Sequence, residues 1–230
     1  MNLTDLAVNL EGFGLHLRGL LNLTREEIES LQIDIDGDVS IALVGNIGSS
    51  YWPVFSTSSE YQDGQPDPLD RWSRQVTEQV KKEFGTRAIY PFEGPPYYPF
   101  QQWAKRAEGL SQSPLGLMIH PRHGLWHSYR FGLLIPQVVE QQPNPLTSPC
   151  ESCELQPCLN TCPVNAFGND GYDIENCAEY LNQNVDAQCH QVGCLARLAC
   201  PIGREFSYNS AQHTFHLRAF LHARPQETQI

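Results

Sequence analysis

The chain has few basic residues and no long apolar run. Its 230 residues include 15 Lys and Arg against 26 Asp and Glu, which gives a formal net charge of −11. A surface for nucleic acid or an anionic membrane needs clustered Lys and Arg, and a membrane-spanning helix needs about 18 consecutive apolar residues. The sequence offers neither, so we expect no nucleic-acid binding and no membrane span. Basic partners are favoured.

The first twenty residues also lack the basic segment that opens a secretory signal. Asp5 and Glu11 lie there instead, and we therefore expect a cytoplasmic protein. Thiols stay reduced in that compartment, so the eight cysteines favour metal ligation over disulfides. A chain of this length can also bury a core without cross-links.

The cysteines form a dense run followed by a looser one. The dense run, Cys150 to Cys162, has the spacing C-x2-C-x4-C-x3-C and is followed by Pro163. A bacterial ferredoxin loop has the spacing C-x2-C-x2-C-x3-C-P, in which the first three cysteines bind one [4Fe-4S] cluster and the fourth binds a second cluster. Only the middle interval is longer here. The looser run ends at Cys200, which is again followed by a proline, Pro201.

Eight thiolates suit two four-iron clusters, and crossed ligation divides them into two sets. The first set is Cys150, Cys153, Cys158 and Cys200, and the second set is Cys162, Cys177, Cys189 and Cys194. Two zinc sites are an alternative, although zinc ribbons usually show paired C-x2-C knuckles and this chain has one such pair. A disulfide framework is the third interpretation. Few large apolar side chains lie between 150 and 203, so we expect bound metal to supply much of the stability of this segment.

Helix and strand signals are concentrated before residue 140. A capping-box pattern at Thr24 and Glu27 starts a short helix, and Asp67-Pro68 and Gly85 bound the clearest helix in the chain. The patterns predict helices over 24–32, 68–84 and 100–108 and strands over 39–44, 86–91, 115–119 and 125–135.

A proline-rich stretch, Gln137 to Pro149, predicts a domain boundary. We therefore divide the chain into a sheet-and-helix domain over residues 1–140, a two-cluster module over residues 150–203, and a C-terminal helix and tail over residues 204–230. The helix is expected over 211–223, with Ser210 as its N-cap, and is expected to pack on the first domain.

A histidine-rich turn lies between the last two predicted strands, in the segment PLGLMIHPRHGLWHSYRFGLLIP from Pro114 to Pro136. His120 and His123 can serve as residues that cap a hairpin turn. Histidine otherwise acts as a metal or corrinoid ligand or as a proton donor near neutral pH. Both interpretations remain open on the residues alone.

This segment resembles the strand-turn-strand of the animal cobalamin-processing family, the B12 chaperones, in which an HPxxGGW-like turn follows a strand. His120, Pro121, Gly124 and Trp126 match that turn, while Leu125 replaces its second glycine. The run LVGNIGSSYWPVF and the segment around Asp67 to Trp72 are looser likenesses. The resemblance implies an α+β, nitroreductase-like domain over roughly the first 140 residues, with His120 and Trp126 near a bound cobalamin.

The cysteine module is similar to that of epoxyqueuosine reductase and the reductive dehalogenases. These corrinoid enzymes carry a ferredoxin-like two-cluster module after a nitroreductase-like domain, with a lone cysteine in a setting like Cys177-Ala178-Glu179-Tyr180-Leu181. The G-x-GW-x-GK-type loop of epoxyqueuosine reductase and a clear catalytic acid have no counterpart here. No catalytic residue is therefore assigned.

Three functional hypotheses follow. The leading one is an iron-sulfur oxidoreductase that reduces or processes a corrinoid, with two [4Fe-4S] clusters and a ferredoxin- or flavodoxin-type electron donor as partner. The second is a two-cluster electron-transfer protein that uses no corrinoid. The third is a reductase whose nitroreductase-like domain binds FMN.

Overall fold

The computed structural model describes residues 2–35, 37–140, 147–168 and 171–224. The chain forms two compact units. One unit comprises Met1–Gly109 and His127–Leu146, and the other comprises Leu110–Trp126 and Thr147–Ile230. The segment Leu110–Trp126, which carries the histidine-rich turn, therefore belongs to the same unit as the eight cysteines.

The chain alternates short helices and strands. The helices are α1 (Leu3–Glu11), α2 (Arg25–Ser30), α3 (Trp52–Phe55), α4 (Ser59–Gln62), α5 (Pro68–Phe84), α6 (Phe100–Glu108), α7 (Pro157–Asn160), α8 (Ile174–Gln183), α9 (Gln188–Val192), α10 (Leu195–Ala199) and α11 (Ser210–His222), with a 3-10 helix over Arg204–Phe206. The strands are β1 (His16–Asn22), β2 (Ser40–Ile47), β3 (Arg87–Ile89), β4 (Ser111–Gln112), β5 (Met118–Ile119), β6 (His127–Ile135), β7 (Phe167–Gly168) and β8 (Gly171–Tyr172). No helix within the described ranges is long and apolar enough to cross a membrane.

The first unit is a mixed α/β structure built on a small antiparallel sheet of order β1-β2-β6-β3. Strand β2 lies inside this sheet and is buried at all but its last position. This burial explains its nearly continuous apolar sequence, since both faces of an inner strand are covered. The buried strand expected over 39–44 is confirmed, and it extends to Ile47.

Helix α5 covers the core of the first unit with one apolar stripe. Leu69, Trp72, Val76 and Val80 are buried along it, and Gly85 ends the helix in a left-handed conformation. The assignment of Trp72 to the core is confirmed, since its side chain packs against Tyr51 and Phe55. Asp67 precedes the helix as expected, but it adopts a left-handed conformation and its side chain makes no capping bond.

Several boundaries differ from the sequence-based expectations. The helix at 24–32 has both arms of its capping box but ends at Ser30. Of the strand expected over 115–119, only β5 forms, because the residues before it form turns. The strand expected over 125–135 starts at His127. Helix α11 is capped by the side chain of Asn209 rather than by Ser210, which is its first residue. It packs against α9 within the second unit.

The close pairing of β2 with β6 generates a testable prediction at Gly45. This residue pairs with Tyr129 next to a bulge in the ladder, and a Cβ atom there would overlap the carbonyl oxygen of Ser128. Gly45→Ala should therefore force the two strands apart and lower the free energy of unfolding by about 1–3 kcal/mol. Urea denaturation followed by circular dichroism measures this change. Gly168→Ala is the matched control, because a Cβ atom there meets nothing within 4 Å; equal effects of the two substitutions would contradict the prediction.

Candidate functional site

Two cavities in the second unit are each lined by four cysteines. Cys150, Cys153, Cys158 and Cys200 line a first cavity of about 20 Å³. Cys162, Cys177, Cys189 and Cys194 line a second cavity of about 290 Å³. The grouping matches the two sets that crossed ligation predicts, and all eight residues are free thiols. Ligation of iron by these sets stays a prediction.

The first set is assembled by the packing of α7 on α10. Cys150 and Cys153 lie in the turn before α7, Cys158 lies in α7, and Cys200 caps the end of α10. Cys200 belongs to an apolar cluster with Leu115, Ile119, Leu125 and Ala196, and this cluster packs against Cys150 and Cys158 of the first set and against Cys162 of the second set. Three members of that cluster come from the segment Leu110–Trp126. The histidine-rich segment therefore forms an apolar wall of the first cavity.

The second set takes one cysteine from each of four places along the chain. Cys162 follows α7, Cys177 lies in α8, Cys189 lies in α9, and Cys194 is the N-cap of α10. The side chains that line the rest of the second cavity include the following residues of α10 and α11: Arg197, His213, His216, Leu217 and Phe220. Because Cys158 and Cys162 are four positions apart but line different cavities, the chain crosses from one set to the other at the end of α7.

Polar groups near the sulfur atoms of both sets favour the thiolate form. In the first set, the Ser148 side chain lowers the pKa of Cys150 and the backbone of Ile202 lowers the pKa of Cys200, each against the larger effect of burial. In the second set, the Tyr172 side chain lowers the pKa of Cys177, and the backbone N–H of Ala166 donates to the Cys162 sulfur at 3.4 Å. Donors of this kind stabilise sulfur that carries negative charge.

Burial acts in the opposite direction on the thiols. Desolvation is the largest cause of a raised pKa at Cys150, Cys158, Cys177, Cys194 and Cys200. Neighbouring cysteines of the same set raise these pKa values further. Metal binding requires the thiolate form and releases the protons. A bound cation would supply the positive charge that two groups of neighbouring thiolates require.

The donor set fits iron-sulfur clusters. In a four-iron cluster held by four cysteines, each thiolate binds a different iron, so the four sulfurs surround a cage rather than meet at a point. Among the described residues, no group of three or more His, Cys, Asp or Glu side chains is arranged to hold a metal ion. Two separate groups of four cysteines are the chemistry that two such clusters demand.

His120 is part of the turn that the sequence singled out. Its backbone pairs with that of Gly124 in both directions, at 2.9 Å each, and its ring Nδ1 accepts the backbone N–H groups of Arg122 at 3.0 Å and His123 at 3.1 Å. In the neutral ring the proton therefore lies on Nε2, which can donate a hydrogen bond but has no lone pair for a metal. The imidazole thus caps the turn.

Two glycines allow this turn to contact the chain just after Cys200. Gly124 has φ +59°, and a Cβ atom there would overlap the carbonyl oxygen of Ile202. Gly203 has φ +70°, and a Cβ atom there would overlap the backbone of His123. Glycine is required at both positions, since other residues rarely adopt these angles. The importance of Gly203 was not recognised from the sequence. Its one distinguishing feature there is that it lies three residues after Cys200.

Trp126 is fully buried beside the second set. The Arg197 guanidinium stacks 4.4 Å from the Trp126 ring and 4.5 Å from the Tyr208 ring, and it donates to the carbonyl oxygen of Leu125. The His213 ring lies nearly perpendicular to the Trp126 ring, and burial, assisted by Arg197, lowers the pKa of His213 to about 4. Since Arg197 and His213 both line the second cavity, Trp126 supports one wall of that cavity.

Comparisons with known proteins give matches among solved structures only. No family model matches the chain, and no curated protein matches it. Epoxyqueuosine reductase with a tRNA-Tyr stem loop is 14% identical with a TM-score of 0.48, over 90% of this chain and 68% of that chain. The Bacillus subtilis epoxyqueuosine reductase is 13% identical with a TM-score of 0.46, over 90% and 68%. The C. elegans B12-trafficking protein CblC is 14% identical with a TM-score of 0.48, over 98% and 97%. At these values the function has to be argued from the residues of this chain.

The grouping of the thiols can be tested without metal. In the iron-free, reduced protein, a short bis-alkylating reagent such as dibromobimane should link Cys200 to Cys150, Cys153 or Cys158, because these sulfurs line one cavity. Peptide mass spectrometry identifies the linked pairs. Cys194 is the internal control, since it is only six residues from Cys200 but lines the other cavity. A dominant link between Cys194 and Cys200 would contradict the grouping.

Proposed function

We propose that the chain is an iron-sulfur redox protein that holds two [4Fe-4S] clusters and reduces or processes a corrinoid. The observation that supports this proposal most strongly is the gathering of eight cysteines into two groups of four, with the memberships expected from crossed ligation. A cluster held by four thiolates supplies one-electron transfer at potentials that reach about −700 mV. Such potentials are low enough to reduce cobalt in a corrin.

The residues around the cysteines have three tasks in this proposal. The eight thiolates hold the iron. The apolar side chains of Leu115, Ile119 and Leu125 keep water away from the first set, and the donors to sulfur stabilise the added negative charge after reduction. Arg197 places a permanent positive charge at the wall of the second cavity, which also favours the reduced state.

The redox step that we propose balances with one electron. A ferredoxin- or flavodoxin-type protein donates one electron, and the cobalt(II) of a corrinoid accepts one electron and becomes cobalt(I). The acidic chain favours a donor protein with a basic docking surface. No bond of the polypeptide forms or breaks.

The corrinoid part of the proposal rests on the turn. His120, Pro121, Gly124 and Trp126 match the cobalamin-processing turn, and Gly124 lies against Ile202, two residues after Cys200. We propose that His120 donates a hydrogen bond through Nε2 near the corrin, and that Trp126 contributes by holding Arg197. Neither role requires either side chain to bind cobalt.

An electron carrier without a corrinoid is the second candidate. Trp126 has no exposed surface, and Nδ1 of His120 is already engaged by two backbone groups. These observations favour structural roles for both residues. The two candidates share the clusters and differ in the electron acceptor. An FMN-binding reductase remains a third alternative, distinguished by the absorption of flavin.

Iron binding is the first test of the proposal. The anaerobically prepared protein should contain about eight iron atoms per chain. Cys153→Ser in the first set and Cys177→Ser in the second set should each lower the iron content by about half and make residues 150–203 more sensitive to protease, because the clusters stabilise this segment. The neighbouring substitution Ser152→Ala, at an exposed residue, is the control. Full iron content and unchanged protease resistance in Cys153→Ser would refute ligation by this residue.

The electron acceptor is the second test. The reduced, iron-loaded protein should convert cob(II)alamin to cob(I)alamin under anaerobic conditions, as followed by the corrin absorption bands. His120→Asn should slow this conversion at equal iron content, because an amide oxygen can accept the turn N–H groups but Asn has no Nε2–H. Arg122→Ala, at an exposed side chain in the same turn, should leave the rate unchanged. If cob(II)alamin is not reduced while both clusters are loaded, the electron-carrier candidate replaces the corrinoid reductase.

A further inference from the structure

The turn between Cys153 and Cys158 is where the cysteine run departs from the ferredoxin spacing. The interval holds Glu154-Leu155-Gln156-Pro157 in place of the usual two residues. Leu155 is 83% exposed, the highest exposure among the large hydrophobic side chains of the described residues, and Glu154 is exposed as well. The longer interval therefore presents an apolar side chain and a carboxylate to solvent beside the first set.

Hydrogen bonds hold this turn in place. The backbone N–H of Cys153 donates to the carbonyl oxygen of Cys150 at 3.3 Å, and the side-chain amide of Asn160 donates to the carbonyl oxygen of Leu155 at 3.4 Å. Gln156 adopts a left-handed conformation with φ +37°, and its carbonyl oxygen accepts the backbone N–H of Leu159 at 3.0 Å. The exposure of Leu155 thus belongs to a folded turn.

Leu155 borders a surface groove of about 550 Å³. Pro157, Pro201 and Ile202 supply apolar walls of this groove. Cys153 lines both the groove and the first cavity. A protein bound in the groove would therefore contact a side chain that holds the cluster of the first set, and short separations favour electron transfer.

The charge of the surrounding segment selects a basic partner. Between residues 147 and 203 the sequence has seven acidic residues and one basic residue, Arg197. Glu151 and Glu154 lie on either side of Cys153 in the sequence, and both are exposed. Lys and Arg on a partner would complement these carboxylates, whereas a second copy of this acidic segment would be repelled.

Arg204 is the basic residue that lines the groove. Its guanidinium donates to the carbonyl oxygens of Cys200 at 3.2 Å and Ala199 at 3.3 Å, at the end of α10. These bonds direct its charge toward the end of a helix, where a cation is favoured. The free carboxylates of the turn remain available to a partner.

We propose that this groove docks a redox protein whose surface carries Lys and Arg around an apolar contact, and that electrons pass between that protein and the cluster of the first set. This inference rests on the proposed binding of two clusters. When the partner is the donor, its reduced centre loses one electron and the cluster gains one, and no bond forms or breaks. A small apolar contact with a charged rim suits transient electron-transfer complexes, which bury less than about 1,200 Å².

The experiment uses ferric mitochondrial cytochrome c, a lysine-rich haem protein that accepts one electron, as a basic probe. The iron-loaded protein is reduced without oxygen and mixed with the probe, and stopped-flow absorption gives the second-order rate constant. Leu155→Ser should lower this constant by about fivefold, and Glu154→Lys by about tenfold because it places like charges together. Raising the salt concentration from about 20 to about 200 mM should slow the wild type and affect Glu154→Lys less.

Val185 and Asp186 provide the matched control. They also form an exposed aliphatic side chain beside an acidic one, in the turn between α8 and α9, but neither lines the groove or the two cysteine cavities. Val185→Ser and Asp186→Lys should keep the wild-type rate constant, although they make the same changes in polarity and net charge. Oxidation by a small uncharged quinone, which needs no docking surface, should be the same in all four variants.

The inference is overturned if iron-loaded Leu155→Ser and Glu154→Lys react as fast as their controls, or if salt speeds the wild-type reaction. A wild-type dimer in sedimentation equilibrium that Leu155→Ser dissociates would also overturn it, because the occupant would then be a second copy. The salt dependence of the wild type carries the test even if a variant loses iron. A wild-type protein that binds no iron refutes the proposed function instead, and iron analysis before the kinetics separates these failures.

Discussion

The second unit depends on the charge balance of eight sulfur atoms in apolar surroundings. Burial raises the pKa of thiols in both sets, Cys177 and Cys194 in the second and Cys200 in the first, with desolvation as the largest cause. Bound iron would convert eight separate thiols into two cross-links. Much of the stability of the unit would then come from the metal rather than from side-chain packing.

The crossing of the chain between Cys158 and Cys162 couples these two centres. Helix α7 carries Cys158, and Cys162 follows two residues after its end. Helix α10 has Cys194 of the second set as its N-cap and Cys200 of the first set as its C-cap. Two short helices therefore bridge the sets in both directions. Because the bridges are only a few residues long, the two cavities must lie near each other, which suits electron transfer between them.

The cysteine grouping could be predicted because it follows from a local rule. The Cys-Pro endings and the four-residue step in the ferredoxin-type loop assign Cys162 and Cys200 to opposite sets. Helix α5 could be predicted for the same reason, since its apolar period and Gly85 are local signals. Helix α2 likewise carries both arms of its capping box within four residues.

Features that depend on distant partners could not be predicted. Strand β1 contains Arg18, whose buried charge pairs at 3.0 Å with Glu108, ninety residues away, and its sequence has no clear alternation. Gly203 must be glycine because the backbone of His123 lies against it. The walls of the first cavity are formed in part by Leu115 and Leu125, which lie far from most of the cysteines in sequence. A hydrophobic pattern shows that these residues are buried, but not against which part of the chain.

The central claim is that each set of four cysteines holds one four-iron cluster. Crystals grown without oxygen and measured on both sides of the iron absorption edge test this most directly. We expect two peaks of anomalous iron density, one surrounded by Cys150, Cys153, Cys158 and Cys200 and the other by Cys162, Cys177, Cys189 and Cys194. Zinc density within either set, or cysteine sulfurs paired at about 2.05 Å as disulfides, would contradict it.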